Sequence, residues 1–175
     1  MRRPNILVCG TPGTGKTQLC ASLVEEEPEL EHVDISSLVK STPSLREEFD
    51  AQSDAWILNE DAIVDYLEER MSHGGVVVDT HSLLDFFPER WFDLVLVLET
   101  TNTLLYDRLK GRGYSEAKVQ ENVQCEIFNV VRDEAMESYA EEIVQVVPSN
   151  TTQDLESNVE RIRQWLRMRE AAGEE

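Results

Sequence analysis

A parallel α/β fold is the architecture this sequence predicts, and three observations carry that expectation. Short apolar runs alternate with helical patterns along the chain. Two of the runs, Gly75–Asp79 (GVVVD) and Leu94–Leu98 (LVLVL), are continuously apolar and β-branched, as strands covered on both faces are. A glycine-rich turn, Gly10–Gly15, falls between a first strand and a first helix.

In chain order, Asn5–Cys9 (NILVC) reads as the first strand and Lys16–Val24 as a helix with Leu19, Leu23 and Val24 on one side. His32–Ile35 is a short second strand. Residues 36–57 are mixed and polar, contain Pro43, and read as a small insert. Glu60–Met71 is a helix whose Ile63, Val64 and Leu67 share a face, ended by Gly74-Gly75. After the two apolar strands, Leu104–Leu109 and Val119–Val131 read as helices separated by Gly111-Arg112-Gly113-Tyr114. Ile143–Val147 is the last strand. Asp154–Met168 is a closing amphipathic helix with Leu155, Val159, Ile162, Trp165 and Leu166 inward, and Glu170–Glu175 is a frayed tail. About five strands with right-handed crossovers follow, in one domain over residues 1–175.

Composition narrows the partners. With 35 acidic against 16 basic residues the net charge is -19, a field that repels nucleic-acid phosphates and favours a basic protein partner. Cys9, Cys20 and Cys125 are odd in number and widely spaced, so neither a disulfide framework nor a zinc motif is expected. The run Ile6–Cys9 is too short to cross a membrane or to form a signal-peptide core.

Gly10-Thr11-Pro12-Gly13-Thr14-Gly15-Lys16-Thr17 matches G-x-x-x-x-G-K-[ST], between strand and helix as a P-loop requires. Its glycines let backbone N–H groups turn inward as an anion nest, and the helix N-terminus adds partial positive charge. Lys16 supplies a charge to the β- and γ-phosphates, and the Thr17 hydroxyl can ligate Mg²⁺. The fold expected is therefore the three-layer P-loop NTPase fold on a five-stranded parallel sheet. Asp79, ending its apolar strand, has the Walker B position and can bind Mg²⁺ directly or through water. His81, two residues on, could orient a water or contact phosphate. Arg108 and Arg112 stand four apart on one helix face, a spacing suited to clamping phosphate or stacking on a base.

Together these strings resemble the adenylate kinase isoenzyme 6 family along most of the chain. The resemblance rests on Pro4-Asn5-Ile6-Leu7 with Gly10–Thr17, on Gly74–His81 (GGVVVDTH), and on Asp85–Phe92 (DFFPERWF). It extends through Arg112-Gly113-Tyr114, Gln124–Phe128 (QCEIF), and Glu141–Val144 with Pro148-Ser149-Asn150. It implies an adenylate kinase with ATPase activity, using ATP and Mg²⁺, and a factor in small ribosomal subunit maturation in nucleus and cytoplasm. Gly13, Thr14, Gly15, Lys16 and Thr17 would hold ATP, with Arg108 and Arg112. Thr17 and Asp79 would hold the metal, and Lys16, Asp79, His81 and Arg112 would act in catalysis. Residues 34–57 would be a monophosphate-binding insert and 111–121 a short lid. Lys40, where the family's insert carries arginine, and Arg90 would contact AMP or another monophosphate. A basic small-subunit ribosomal protein would be the partner, with no direct nucleic acid and no membrane. The stretch Ser41–Gln52 departs from the family pattern.

Overall fold

The computed structural model describes residues 2–81 and 84–173. Strand β1 (Ile6–Cys9) runs into the P-loop and helix α1 (Lys16–Glu26). Strand β2 (Glu31–Asp34) leads to the short helix α2 (Ile35–Ser41) and a 3₁₀ turn at Pro43–Leu45. A hairpin of β3 (Arg46–Asp50) and β4 (Ala55–Leu58) follows, then α3 (Glu60–His73) and β5 (Val76–Thr80). Strand β6 (Leu94–Glu99), helices α4 (Asn102–Gly111), α5 (Glu116–Ile127) and α6 (Val130–Ser138), strand β7 (Val144–Pro148) and helix α7 (Thr152–Gly173) complete the described chain.

The main sheet has five parallel strands in the order β2-β5-β1-β6-β7. Alternation within each strand divides the core in two. Ile6, Val8, Val77, Leu94, Leu96 and Leu98 pack under α1 and α7. Leu7, Cys9, Val78, Val95 and Val97 pack under α2, α3 and α6. Helices α4 and α5 form a smaller cluster of their own around Leu105, Leu109, Val119 and Val123. Buried Asn5 ties the amino ends of the strands together. Its amide donates to the carbonyls of Met71 (2.8 Å) and Trp91 (3.0 Å) and accepts from the Val76 N–H (3.0 Å).

Two expectations are corrected, and the expected insert gains a defined structure. The helix expected across Val119–Val131 is two helices, broken at Asn129, whose φ is 53°. Helix α5 faces α4 with Val119 and Val123, whereas α6 turns Val131 and Ala135 onto the sheet, and one straight helix cannot do both. The tail expected to fray from Glu170 stays helical to Gly173. The polar insert contains a two-stranded antiparallel sheet that buries neither face. It is held instead by Phe49 opposite Trp56, ring centroids 5.2 Å apart, and by the Arg46 guanidinium 3.9 Å over the Trp56 ring. His81 and the strings around it fall within the described residues; Ser82 and Leu83 lie outside them.

Candidate active site

The P-loop leaves the carboxyl end of the central strand, where ligands bind in open parallel sheets. Gly13 and Gly15 take φ of 92° and 91°, conformations that side-chain-bearing residues rarely adopt, so the glycines set the loop's turn. Helix α1 begins at Gly15 with no side-chain cap and no acid in its first turn, which leaves its amino end electropositive. The loop is braced from below. Thr14 donates to the Thr11 carbonyl at 2.8 Å, and Ser149 donates to the Thr14 carbonyl at 2.5 Å.

Lys16 is 8% exposed and folds back over the loop, donating to the carbonyls of Gly10 (2.9 Å) and Thr11 (3.2 Å). Burial pulls its pKa down to about 8, against the upward pull of Asp79. Asp79 stands on β5 beside Val8 of β1, on the sheet face that carries α1. Its Oδ2 accepts from the Thr17 hydroxyl at 2.7 Å and lies 3.3 Å from His32 Nε2. A hydroxyl and a carboxylate that close match an edge of a Mg²⁺ octahedron, about 2.9 Å for bonds of about 2.0–2.1 Å. The donor set therefore fits Mg²⁺, which Thr17 and Asp79 would hold.

These residues line a cavity of about 560 Å³. Its far wall comes from the hairpin turn, Ser53, Asp54 and Ala55, and from Arg112, Tyr114 and Lys118 after α4. The hairpin turn and α5 are joined there by an Asp54–Lys118 ion pair at 3.7 Å. His81 lies at the cavity's mouth, open to solvent on one side. Desolvation by the surrounding wall, and then the Lys16 charge, lower its pKa to about 4, so the ring is neutral near pH 7.

The structure thus brings Gly13, Gly15, Lys16, Thr17, Asp79, His81 and Arg112 onto one cavity, with Thr14 buried in the loop beneath it. Arg108 is placed otherwise. Its guanidinium donates to the carbonyls of Gly13 (3.2 Å), Ser149 (3.0 Å) and Asn150 (2.9 Å), so it ties the P-loop to the segment after β7. Arg90 is a correction. It sits at the amino-terminal edge of the sheet, opposite the cavity, paired with Glu68 at 2.7 Å while its carbonyl faces Arg2. The aromatic string around it is core: Phe87, Trp91 and Phe92 are buried, and Trp91 donates to Glu68. Lys40 lies exposed at the end of α2 and is not among the residues lining the cavity. Sequence reasoning missed Asp34, Asp54, Lys118 and Glu121 on the cavity wall, because only folding carries the hairpin and α5 to the P-loop. It also missed His32, whose register beside Val77 puts it on the face of Asp79.

Comparison with known proteins agrees with this geometry. Residues 6–129 match the family described as AAA domain. A Dictyostelium discoideum protein named adenylate kinase isoenzyme 6 homolog is 48% identical over 164 residues, covering 94% of this chain and 92% of its own. The Saccharomyces cerevisiae protein named adenylate kinase isoenzyme 6 homolog FAP7 is 41% identical over 165 residues, covering 94% and 83%. Among solved structures, shikimate kinase from Acinetobacter baumannii in complex with shikimate superposes with a TM-score of 0.63 at 18% identity, over 95% of this chain and 94% of that one. That likeness speaks for the fold alone. Fold and site define a P-loop NTPase of the small-kinase architecture. Within that class, the chain belongs to the adenylate kinase isoenzyme 6 family.

Proposed function

We propose that this protein transfers the γ-phosphoryl group of ATP to AMP, giving two ADP, and hydrolyses ATP when no acceptor is bound. The observation that carries the reading is that the P-loop shares one cavity with the hairpin turn, Arg112 and Lys118, which leaves surface beyond the P-loop for a second nucleotide. The names of the relatives at 41–48% identity support the choice of AMP.

In that reaction an AMP phosphate oxygen attacks the γ-phosphorus while the bond to the β–γ bridging oxygen breaks. The acceptor oxygen is already anionic, so no general base is required. The inward N–H groups of residues 13–17 and the α1 terminus hold the β-phosphate. Lys16 swings from the Gly10 and Thr11 carbonyls to the phosphates. Thr17 and Asp79 would hold Mg²⁺, which would supply neutralising charge to the phosphates. Arg112, which lines the same cavity, offsets charge on the phosphates. Neutral His81 orients a water when hydrolysis replaces transfer. The residues around 34–57 and 111–121 act as monophosphate insert and lid, whose closure excludes water.

A second reading, an ATPase switch with little kinase activity, is favoured by the acids of the cavity. Asp34, Asp54 and Glu121 line it, while Lys40 and Arg90 do not, and unpaired acids repel a monophosphate. In this reading the protein serves small-subunit maturation in nucleus and cytoplasm, through a basic ribosomal protein that the net charge of -19 attracts. One time course separates the two. Protein with Mg·ATP, with and without AMP, is followed for ATP, ADP, AMP and free phosphate. Two ADP per ATP consumed, with little phosphate, upholds transfer; phosphate release with AMP untouched leaves the switch. Adding a basic small-subunit ribosomal protein then tests for the complex.

A further inference from the structure

Behind the P-loop, three chemically different ligand groups converge on one point. Cys20 lies one turn beyond Thr17 on α1, on the same helix face. His32 is on β2, and Asp79 is on the neighbouring β5. Because His32 is in register with Val77, and Asp79 is two residues beyond Val77, both side chains rise from the same sheet face, toward α1. Cys20 Sγ, a His32 ring nitrogen and an Asp79 carboxylate oxygen all lie within 4.8 Å of one another. Among the described residues this is the one such group of three.

We propose that Cys20, His32 and Asp79 form a binding site for a zinc-like transition-metal dication, filled in the nucleotide-free protein, and that this ion competes with Mg·ATP for Asp79.

The spacing fits the ion. Tetrahedral Zn²⁺ with N and O bonds of about 2.0–2.1 Å separates neighbouring ligands by about 3.3–3.4 Å. His32 Nε2 and Asp79 Oδ2 are 3.3 Å apart already. Bringing the sulfur, with its longer bond of about 2.3 Å, to its edge distance needs about 1 Å of movement. Chemistry selects the metal class: thiolate and imidazole suit Zn²⁺, Cu or Co²⁺ and not Mg²⁺, which prefers oxygen. Charge also balances, since one thiolate and one carboxylate neutralise a dication in a pocket where Cys20 is fully buried and Asp79 is 3% exposed. On binding, the S–H bond is replaced by a metal–sulfur bond and the proton leaves to solvent. Three protein ligands leave a fourth position for water. Asp79 lines the nucleotide cavity, which gives the ion its path inward. An ion seated there holds Asp79 away from the partnership with Thr17 that Mg·ATP uses.

The metal site is tested by spectroscopy without turnover, so it stands or falls apart from the function proposed above; only the competition with Mg·ATP rests on that function. The full chain, freed of metals and nucleotide, is titrated with Co²⁺. A near-ultraviolet thiolate-to-cobalt band with intense visible d–d bands is expected, and Cys20→Ala should abolish the near-ultraviolet band. His32→Phe, which keeps the thiol, should weaken cobalt binding by about tenfold or more, and it decides the matter if Cys20→Ala does not fold. No thiolate band, or a band that survives Cys20→Ala through Cys9 or Cys125, overturns the site. The competition is read from ATP consumption at buffered free Zn²⁺. Wild-type turnover should fall where that of Cys20→Ala holds, and equal inhibition of both overturns that part.

Discussion

Lys16 is the residue on which the proposed phosphate binding turns. It is buried, it contacts loop carbonyls, and its pKa is lowered to about 8 by desolvation. Free protein therefore loses the Lys16 proton as pH rises through 8, whereas bound phosphates favour the charged form and pull the pKa back up. ATP binding at pH 9 should take up about one proton, and the Kd should rise by up to about tenfold per pH unit above 8. Calorimetry in two buffers of different ionisation enthalpy measures the uptake; identical heats would refute it. Lys16→Ala should lower turnover by about 100-fold or more, and unchanged turnover would remove the P-loop from the chemistry. His81 behaves oppositely, being neutral across the range above its pKa of about 4. His81→Ala should slow ATP hydrolysis without an equal loss of ATP affinity; matched losses would make it a binding residue. The sequence alone singled out both residues, but it could not separate Arg108 from Arg112. Both are i,i+4 arginines, and only the fold sends one to the cavity and the other into the carbonyls under the loop.

Elements act here as struts for the loop. Arg108 at the end of α4 joins Gly13 to Ser149 and Asn150 through three carbonyls. Arg108→Ala should cost about 2–3 kcal/mol of stability, since charged hydrogen bonds are lost and carbonyls are left bare. Arg108→Lys should not restore it, because an ammonium lacks the planar fork. Denaturant midpoints of the two variants decide this, and a fully stable Arg108→Lys would show that charge alone suffices. At the other edge of the sheet, Arg90→Ala should leave AMP use unchanged and shift stability by less than about 1 kcal/mol, as exposed ion pairs do. A raised KM for AMP would return Arg90 to the acceptor site. The aromatic string that contains Arg90 is core, with Phe87, Trp91 and Phe92 packed against one another.

At the scale of the molecule, the hairpin turn and α5 both line the cavity and touch through Asp54 and Lys118. A ligand that joins two adenosines through a chain of phosphates should protect amides of residues 50–55 and 112–122 from exchange together with the P-loop. Protection of the P-loop alone would leave the far wall without a nucleotide role. From sequence by itself came the parallel α/β class, the strands of the main sheet to within a residue or two, and the P-loop with Asp79. All of these are local signals: an apolar period, a glycine turn, a helix start. Tertiary structure alone decided which charged residues line the cavity, that the polar insert is a hairpin held by Phe49, Trp56 and Arg46, and that Cys20, His32 and Asp79 meet. The physical reason is register and crossover. Which side chains share a cavity depends on how strands far apart in sequence pair and on which sheet face each helix covers. No window of neighbouring residues contains that information.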